Sequence, residues 1–360
     1  MGEMTARHVI AAGIRRGGGE GLMASVAEGL SALGEDVLVV GPPERSPLVA
    51  RASALGLPVH TLASAHPAQY ALDLLRWRRA NPDGVLWCEG TLPALATAGM
   101  QRRVLAFDTA APGPLKSVRR AAARARALAT IVPSAADAER LRDARVLAPS
   151  VPALELARHG RGAGPLRIGF MGPVSERDGV LVLADTLREL RRWAPEGYRL
   201  RITGPTRYAD ARERVVVEGR LRSLGAMVQS VHNMPADEFL GSVDLLVCPA
   251  VQPRGFCFPA VTAMASGVPV VVSDAGSLPE VVGPDHPWVA RAGDPGHLAE
   301  VITAAAAALP AYDAVAAARR RWEAAYSPEA GRKALGALLG SLGLGQTGSG
   351  ASEPSAAAGA

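Results

Sequence analysis

The feature that most constrains the fold of this chain is an alternation of short, continuous apolar runs with segments of helical periodicity. In the first half these runs, each predicted to be a strand, lie at 8–14, 35–41, 58–62, 84–90, 103–109, 129–134 and 144–149. A strand that is apolar on both faces must be covered on both faces, and intervening helices supply that cover. The pattern therefore predicts a parallel sheet with helices on either side.

The same alternation starts again in the second half, after a polar, glycine-rich stretch at 158–165. The predicted strands there are 166–172, 198–204, 227–232, 244–250 and 268–274. Two such units in tandem indicate an α/β protein with two doubly wound domains. We place these domains at 1–160 and 161–310, with helices following at 311–343. The Gly/Ser/Ala-rich tail at 344–360 is expected to be disordered.

Charge and cysteine content narrow the functional class. The formal net charge of +5 over 360 residues fits a soluble basic protein or one with an anionic ligand. Basic residues do not cluster with aromatic ones, so nucleic acid is not an expected partner. Cys88, Cys248 and Cys257 are too scattered for a disulfide framework or a metal site. The N-terminus turns polar too early for a signal peptide. Together these two features predict a cytoplasmic protein. No apolar run approaches ~18 residues, so no membrane-spanning helix is expected.

The segment 255–283 reads as a loop, a helix, a buried strand and a second loop, almost without charge. Pro259 suits the first turn of the predicted helix, and Gly267 suits its end. The amino end of a helix presents unpaired N–H groups and partial positive charge, so an anion is the ligand that this end favours. The alternative is a helix that only packs on the sheet and binds nothing.

This segment resembles the signature G-F-G-L-P-x-x-E-A-M-A-x-G-x-P-V-V-x-x-x-x-G-x-x-x-E-x-V of the retaining GT-B glycosyltransferases. The matching residues are Gly255, Phe256, Pro259, Ala263, Met264, Ala265, Gly267, Pro269, Val270, Val271, Gly276 and Glu280. The resemblance extends to the strand and loop at 166–180 and to the first strand, glycine-rich loop and helix at 8–42. It implies a GT-B fold, with two Rossmann-like domains facing a cleft and the final helices crossing back to the first domain. It also implies transfer of a sugar, with retention and without a metal or other cofactor, from a UDP- or GDP-sugar to a hydroxyl on a small molecule, lipid or glycan.

The chain departs from the family pattern at charged positions of the second domain. Arg254 and Thr262 stand where the family has two glutamates with seven residues between them, and Pro173 and Asp178 stand where it has the arginine and lysine that neutralise the diphosphate. Fixed cations stabilise a leaving diphosphate, so we expect Arg177 or Arg254 to replace them; the alternative is that both are solvated loop residues. The predicted donor-site residues are Gly172, Arg177, Arg254, Gly255, Phe256, Cys257, Thr262 and Glu280.

The first domain also lacks the family's histidines. Phe107 and Asp108 replace a His-Asp pair, and the sequence Trp87-Cys88-Glu89-Gly90 replaces His-x-His-Gly. Glu89 and Asp108 end predicted strands, and open α/β sheets bind ligands at that end of their strands. Either carboxylate could therefore orient an acceptor hydroxyl or take its proton. The alternative is that each only caps the helix that follows. Gly17, Gly18 and Gly19 occupy the place of the family's acceptor loop, although such a cluster can also be a simple turn.

These substitutions leave three interpretations open. The first is an active transferase. The second is a catalytically inactive GT-B scaffold that acts as a protein partner or regulatory subunit. The third is a transferase whose Arg254 binds an extra acidic group on an unusual donor. The basic segment 116–127 could bring the protein to the inner face of a membrane, or could simply be a solvated helix face.

Overall fold

The computed structural model describes residues 8–14, 19–43, 46–107, 114–157, 164–231, 234–253, 255–309 and 313–344. Two wholly parallel sheets organise these residues, and the predicted pair of doubly wound α/β domains is thereby confirmed. The domain limits placed on the sequence remain predictions.

The first sheet has the strand order β3-β2-β1-β4-β5-β6-β7. Its strands are β1 His8–Ala11, β2 Val37–Gly41, β3 Val59–Thr61, β4 Val85–Glu89, β5 Arg103–Ala106, β6 Ala129–Val132 and β7 Ala144–Val146. The helices between them are α1 Gly19–Ala32, α2 Pro47–Ala54, α3 Pro67–Ala80, α4 Thr91–Ala96, α5 Pro114–Arg124 and α6 Ala135–Arg140. Buried aliphatic side chains lie on both faces of the central strands, as expected for a parallel sheet.

The second sheet has the order β10-β9-β8-β11-β12-β13. Its strands are β8 Leu166–Met171, β9 Tyr198–Thr203, β10 Val228–Ser230, β11 Leu245–Cys248, β12 Val270–Ser273 and β13 Val289–Ala290. The α-helices that follow them are α7 Val180–Trp193, α8 Ala211–Arg222, α9 Ala236–Gly241, α10 Phe258–Ala265, α11 Leu278–Val282 and α12 Pro295–Ala308, and a short 3₁₀ turn occupies Gly225–Met227.

The last two helices, α13 Asp313–Ala325 and α14 Pro328–Ser341, connect the domains. Helix α13 packs on α10 of the second domain, and α14 packs on α1 of the first. The chain also passes between the domains near Val151, and the two crossings are hydrogen-bonded to each other. The Val151 N–H donates to the Tyr326 carbonyl, and the Trp322 indole N–H donates to the Val151 carbonyl, both at 2.8 Å.

Among the described residues, no single helix is long and apolar enough to cross a membrane. Helices α12 and α13–α14 meet the length and composition criteria only when they are taken together across a 100° bend.

Candidate functional site

A cavity of about 450 Å³ opens between the two sheets, at the carboxyl ends of the strands of the second one. Its lining comes from the loops after β8, β9 and β11, and Pro133 at the end of β6 contributes from the first domain. Open α/β sheets bind their ligands at this edge. The lining residues are Pro133, Pro173, Ser175, Glu176, Arg177, Asp178, Arg207, Ala209, Glu213, Val251, Gln252, Gly255 and Phe256.

The loop after β8 is held in a fixed conformation. The Ser175 hydroxyl donates to Asp178 Oδ2 at 2.5 Å, and the Asp178 N–H donates back to Ser175 Oγ at 3.1 Å. These two reciprocal hydrogen bonds close the turn. Gly179 ends the loop with φ +86°, and a Cβ built there would lie 1.8 Å from the Pro249 carbonyl oxygen, so only glycine fits. Asp178, which stands at the family's lysine position, is therefore a buried part of this turn.

Arg177 is one of the predicted site residues that line the cavity, with Gly255 and Phe256. Its Nη2 donates to the Pro253 carbonyl at 3.3 Å, a long contact. Its Nε is shielded from solvent and has no hydrogen-bond acceptor among the described residues. A shielded cationic N–H without an acceptor is costly. Because the Arg177 side chain lines the cavity, an anion bound there would interact favourably with the charge of the guanidinium group.

Glu213, which was not predicted as a site residue from the sequence, places a further carboxylate at the cavity wall. Asp210 and Glu213 form a capping box at the start of α8, in which Glu213 accepts from the Ala209 N–H. The same carboxylate accepts from the Glu176 N–H at 2.5 Å, which joins the loop after β8 to α8. With Glu176 and Asp178, three carboxylates line the cavity against two arginines, Arg177 and Arg207, among the described residues.

The amino end of α10 approaches the cavity through Gly255 and Phe256. Buried Cys257 precedes the helix and makes no side-chain cap, so the first N–H groups are not satisfied by a capping side chain. The Thr262 hydroxyl donates within the helix, to the Phe258 carbonyl at 2.8 Å. Gly172 lies at the end of β8, close to Gly204, where a Cβ would lie 2.2 Å from the Gly172 oxygen. Arg254 lies outside the described residues.

Glu280 joins the two domains. It lies on α11, and its carboxylate oxygens accept from the N–H groups of Ala135 at 2.8 Å and Ala136 at 3.1 Å, at the start of α6 in the first domain. Arg321 of α13 holds α11 from the other side, because its Nε donates to the Val281 carbonyl at 2.8 Å. The predicted role of Glu280 as a donor contact stays a prediction; its observed partners belong to the domain interface.

A second interdomain contact lies beside the cavity. Gly21, in the first turns of α1, faces the ring of Phe258, and a Cβ on Gly21 would lie 1.9 Å from its Cζ atom. The ring of Phe256 meets those of Phe258 and Tyr326 edge to face, at centroid distances of 4.9 and 5.7 Å. The first domain therefore touches the second over the amino end of α10.

Glu89 lies at the carboxyl end of β4, where its side chain is buried. Its Oε2 accepts from the Gly13 N–H at 2.7 Å, and the Tyr70 hydroxyl donates to the Ala12 carbonyl at 2.5 Å. Burial, with the nearby charge of Glu89, raises the pKa of Tyr70 well above its usual range. Burial likewise raises the pKa of the Cys88 thiol to about 11. Glu89 thus holds the backbone that leads into the glycine-rich loop.

Two of the family's three histidine positions are filled by apolar core residues, and Glu89 stands at the third. Trp87 is fully buried and donates to His8 Nδ1 at 3.1 Å, and Phe107 is buried in the core of the first sheet. Asp108, Gly17 and Gly18 lie outside the described residues, and Gly19 is the first residue of α1. No group of three or more potential metal-ligand side chains occurs in the described part of the chain; independence from metal stays a prediction.

Two kinds of comparison bear on this site. Residues 165–307 match the family described as Glycosyl transferases group 1. The curated MMP alpha-(1->4)-mannosyltransferase of Mycolicibacterium hassiacum is 37% identical over 87 residues, a segment that covers 24% of this chain and 20% of that protein. The chain thus matches only a fifth of that relative's length.

Solved glycosyltransferase structures share the whole described architecture. Anabaena HepE (Alr3699) in complex with UDP superposes with a TM-score of 0.75 at 16% identity, covering 93% of this chain and 99% of HepE. Sucrose-phosphate synthase from Thermosynechococcus elongatus gives a TM-score of 0.75 at 17% identity, covering 93% of this chain and 98% of the synthase. A glycosyltransferase from Rickettsia africae gives a TM-score of 0.74 at 14% identity, covering 93% of this chain and 97% of that protein. Residues 165–307 thus match the group 1 glycosyltransferases, and the chain has the two-domain GT-B fold of these solved structures.

Proposed function

We propose that the protein is a glycosyltransferase that moves a sugar from a nucleotide-sugar to a hydroxyl acceptor, with retention at the anomeric carbon. The observation that carries this proposal is the cavity between the domains, which is lined by Arg177 and by Gly255 and Phe256 just before α10. The HepE structures with UDP and with UDP-glucose support a uridine nucleotide as the first donor to test.

In this proposal the chain's own residues bind and orient the donor diphosphate. Arg177, together with the predicted Arg254, neutralises the diphosphate, while Gly255 and the first turn of α10 approach it through the backbone. The bond between the anomeric carbon and the diphosphate oxygen breaks as the acceptor oxygen attacks from the same face. The acceptor proton passes to the departing diphosphate oxygen, so the reaction does not require a histidine base.

The acceptor is proposed to approach from the first domain. Glu89 fixes the Gly13 backbone and hence the start of the glycine-rich loop, so its proposed role is positioning. The protein is further proposed to act in the cytoplasm, with a lipid acceptor reached through α5. That helix exposes Arg119 and Val118, whereas Arg124 donates to Thr130 Oγ1 at 3.1 Å and to the Arg142 carbonyl at 2.6 Å.

A thermal-shift screen with UDP, GDP, ADP and dTDP, followed by a transfer assay with the matching sugars, tests the donor. Arg177→Gln is expected to weaken binding of the best nucleotide by about tenfold or more, the effect of losing one hydrogen bond to a charged group. Asp178→Asn is expected to tighten it, because it removes negative charge from the cavity wall. Arg192→Gln, on an exposed arginine paired with Glu189, is the matched control.

The excess of carboxylates over arginines in the described cavity lining favours a second candidate, a GT-B scaffold without catalysis that acts as a protein partner. The thermal-shift screen and the transfer assay distinguish the active transferase from the inactive scaffold. Stabilisation by one nucleotide together with sugar transfer supports the transferase. A protein that none of the four nucleotides stabilises, and that transfers no sugar, refutes it.

A further inference from the structure

An arginine-lined groove lies on the second domain, at the edge of the sheet opposite the cavity between the domains. Its volume is about 770 Å³. Pro165 lies just before β8, Met227 just before β10 and Ser242 just before β11, so the groove follows the amino ends of these strands. The groove is therefore separate from the proposed donor site.

Three arginines share the sheet face that forms this groove. Arg167 of β8 is in register with Arg199 of β9, and Arg201 follows two residues later on β9. Side chains alternate along a strand, and Leu200 and Ile202 pack into the core on the other face. The arginines consequently point away from α7 and α8. Parallel sheets are normally apolar on both faces, so this charged stretch is exceptional.

Two of the three arginines have carboxylate partners. Arg167 makes a bidentate pair with Asp244, through Nε at 3.0 Å and Nη2 at 2.7 Å, and this hydrogen bonding raises the pKa of Arg167. Arg199 donates to Glu196 at 2.5 Å, but Glu196 is 84% exposed, and ion pairs of that kind contribute little. Arg199 can therefore exchange this partner for a ligand at small cost.

Arg201 differs from both. Its Nε is shielded from solvent and has no hydrogen-bond acceptor within the described chain. A shielded guanidinium N–H that lacks an acceptor is destabilising. Arg201 also lines the groove, so a small shift of its side chain toward a bound ligand would give this N–H an acceptor. Gln229 of β10 lies beside Arg201 in register and adds an amide to the same wall.

We propose that this groove binds a small organic phosphate, with its phosphate held by Arg201 and Arg199 and its organic part against the apolar wall formed by Pro165, Ala226, Met227 and Val228. Arg199 and Arg201 lie on one face of β9, with their backbone positions about 7 Å apart, and two guanidinium groups suit a group with three acceptor oxygens better than a planar carboxylate. The site lies away from the cleft and does not depend on the proposed transferase activity.

The binding test uses the full-length protein carrying Arg177→Gln, which removes one of the two arginines in the described cavity lining, and titrates inorganic phosphate by calorimetry at constant ionic strength. Adding Arg201→Gln is expected to weaken phosphate binding by about tenfold or more. Adding Arg192→Gln, which removes the same charge from an exposed helix, is expected to leave it unchanged. Absence of phosphate binding, equal affinity after Arg201→Gln, or acetate binding as tightly as phosphate would each overturn the proposal.

A stability measurement excludes a purely structural role for Arg201. Arg201→Met keeps the aliphatic stem but removes the unpartnered N–H, so in the absence of phosphate this variant is expected to melt at a higher temperature than the wild type. Phosphate should then raise the Tm of the wild type and not that of the variant. A variant that melts lower without phosphate would show that the guanidinium supports the fold, and the proposed site would be rejected. Because the nucleotide screen is read separately, failure of one proposal does not imply failure of the other.

Discussion

Removal of the Glu280 carboxylate is expected to open the cleft. In the structure this carboxylate accepts two N–H groups at the start of α6, from Ala135 and Ala136, and it is anchored to the second domain through α11. Glu280→Gln keeps one acceptor oxygen but loses the negative charge and one of the two bonds. Both bonds exist only while the domains touch, so their loss acts on the closed state alone.

The size of the effect follows from the exposure of the contact. Hydrogen bonds to a charged group contribute roughly 1.5–3 kcal/mol net. Because the Ala135 N–H is exposed and water can replace the lost oxygen, the lower end applies. A loss of about 1.5 kcal/mol lowers the ratio of closed to open molecules by about tenfold. The unfolding free energy should change less, because neither domain loses an internal contact.

Single-molecule fluorescence transfer measures this ratio. Dyes on cysteines introduced at Arg79 of α3 and Arg192 of α7, both exposed, report the distance between the domains. The three native cysteines are buried and will not compete for label. Glu280→Gln should populate a low-transfer state that Glu300→Gln, on an exposed carboxylate of α12, does not populate. Identical transfer histograms for Glu280→Gln and the wild type would refute the reasoning.

Three further predictions concern single side chains. Gly21→Ala forces a Cβ against the Phe258 ring and should also favour the open state; the added Phe258→Ala should restore closure in the same fluorescence assay, and no rescue would contradict the assigned clash. Arg103→Met should lower the free energy of unfolding, measured with urea, by about 3 kcal/mol or more, because the buried guanidinium donates to four backbone carbonyls in and just after α4 and α5. A decrease of less than about 1 kcal/mol would contradict this structural role. Burial lowers the pKa of His286, whose ring contacts the Val270 carbonyl at 2.9 Å. Its contribution to the free energy of unfolding is therefore present above the unfolded-state pKa near 6.5 and is lost as pH falls through the folded-state pKa. His286→Gln should flatten that loss of stability with pH, and parallel profiles of stability against pH for the variant and the wild type would contradict it.

The strands were predictable because their signal is local. Continuous apolar runs identified all but one of the thirteen strands in the described residues, and the exception, Val289–Ala290, has only two residues and no run to detect. The tandem alternation likewise predicted two parallel sheets, since a strand buried on both faces leaves few other arrangements.

The site was only partly predictable, because its contacts join distant residues. The capping box of Asp210 and Glu213 follows the D-x-x-E spacing and could have been found in the sequence, but the reach of Glu213 to the Glu176 N–H depends on tertiary packing. Asp178 was interpreted as a lost lysine, and its exchange of hydrogen bonds with Ser175 explains what the aspartate does instead.

The interdomain contacts were the least predictable. Glu280 and Ala135 are 145 residues apart, and their hydrogen bond forms only when two separately folded units close on each other. No periodicity or spacing in either unit encodes that approach. The sequence match included Glu280, but its partners became visible only in the folded chain.

The two chain crossings determine how the halves can move. Val151 on one crossing is bonded to Trp322 and Tyr326 on the other, so the connecting segments lie side by side along one line. Bodies joined along a single line rotate easily about it but translate past each other only by breaking those bonds. We therefore expect the easiest motion to be a swing about Val151, and such a swing would break the Glu280 contact with α6 and the Gly21 contact with Phe258.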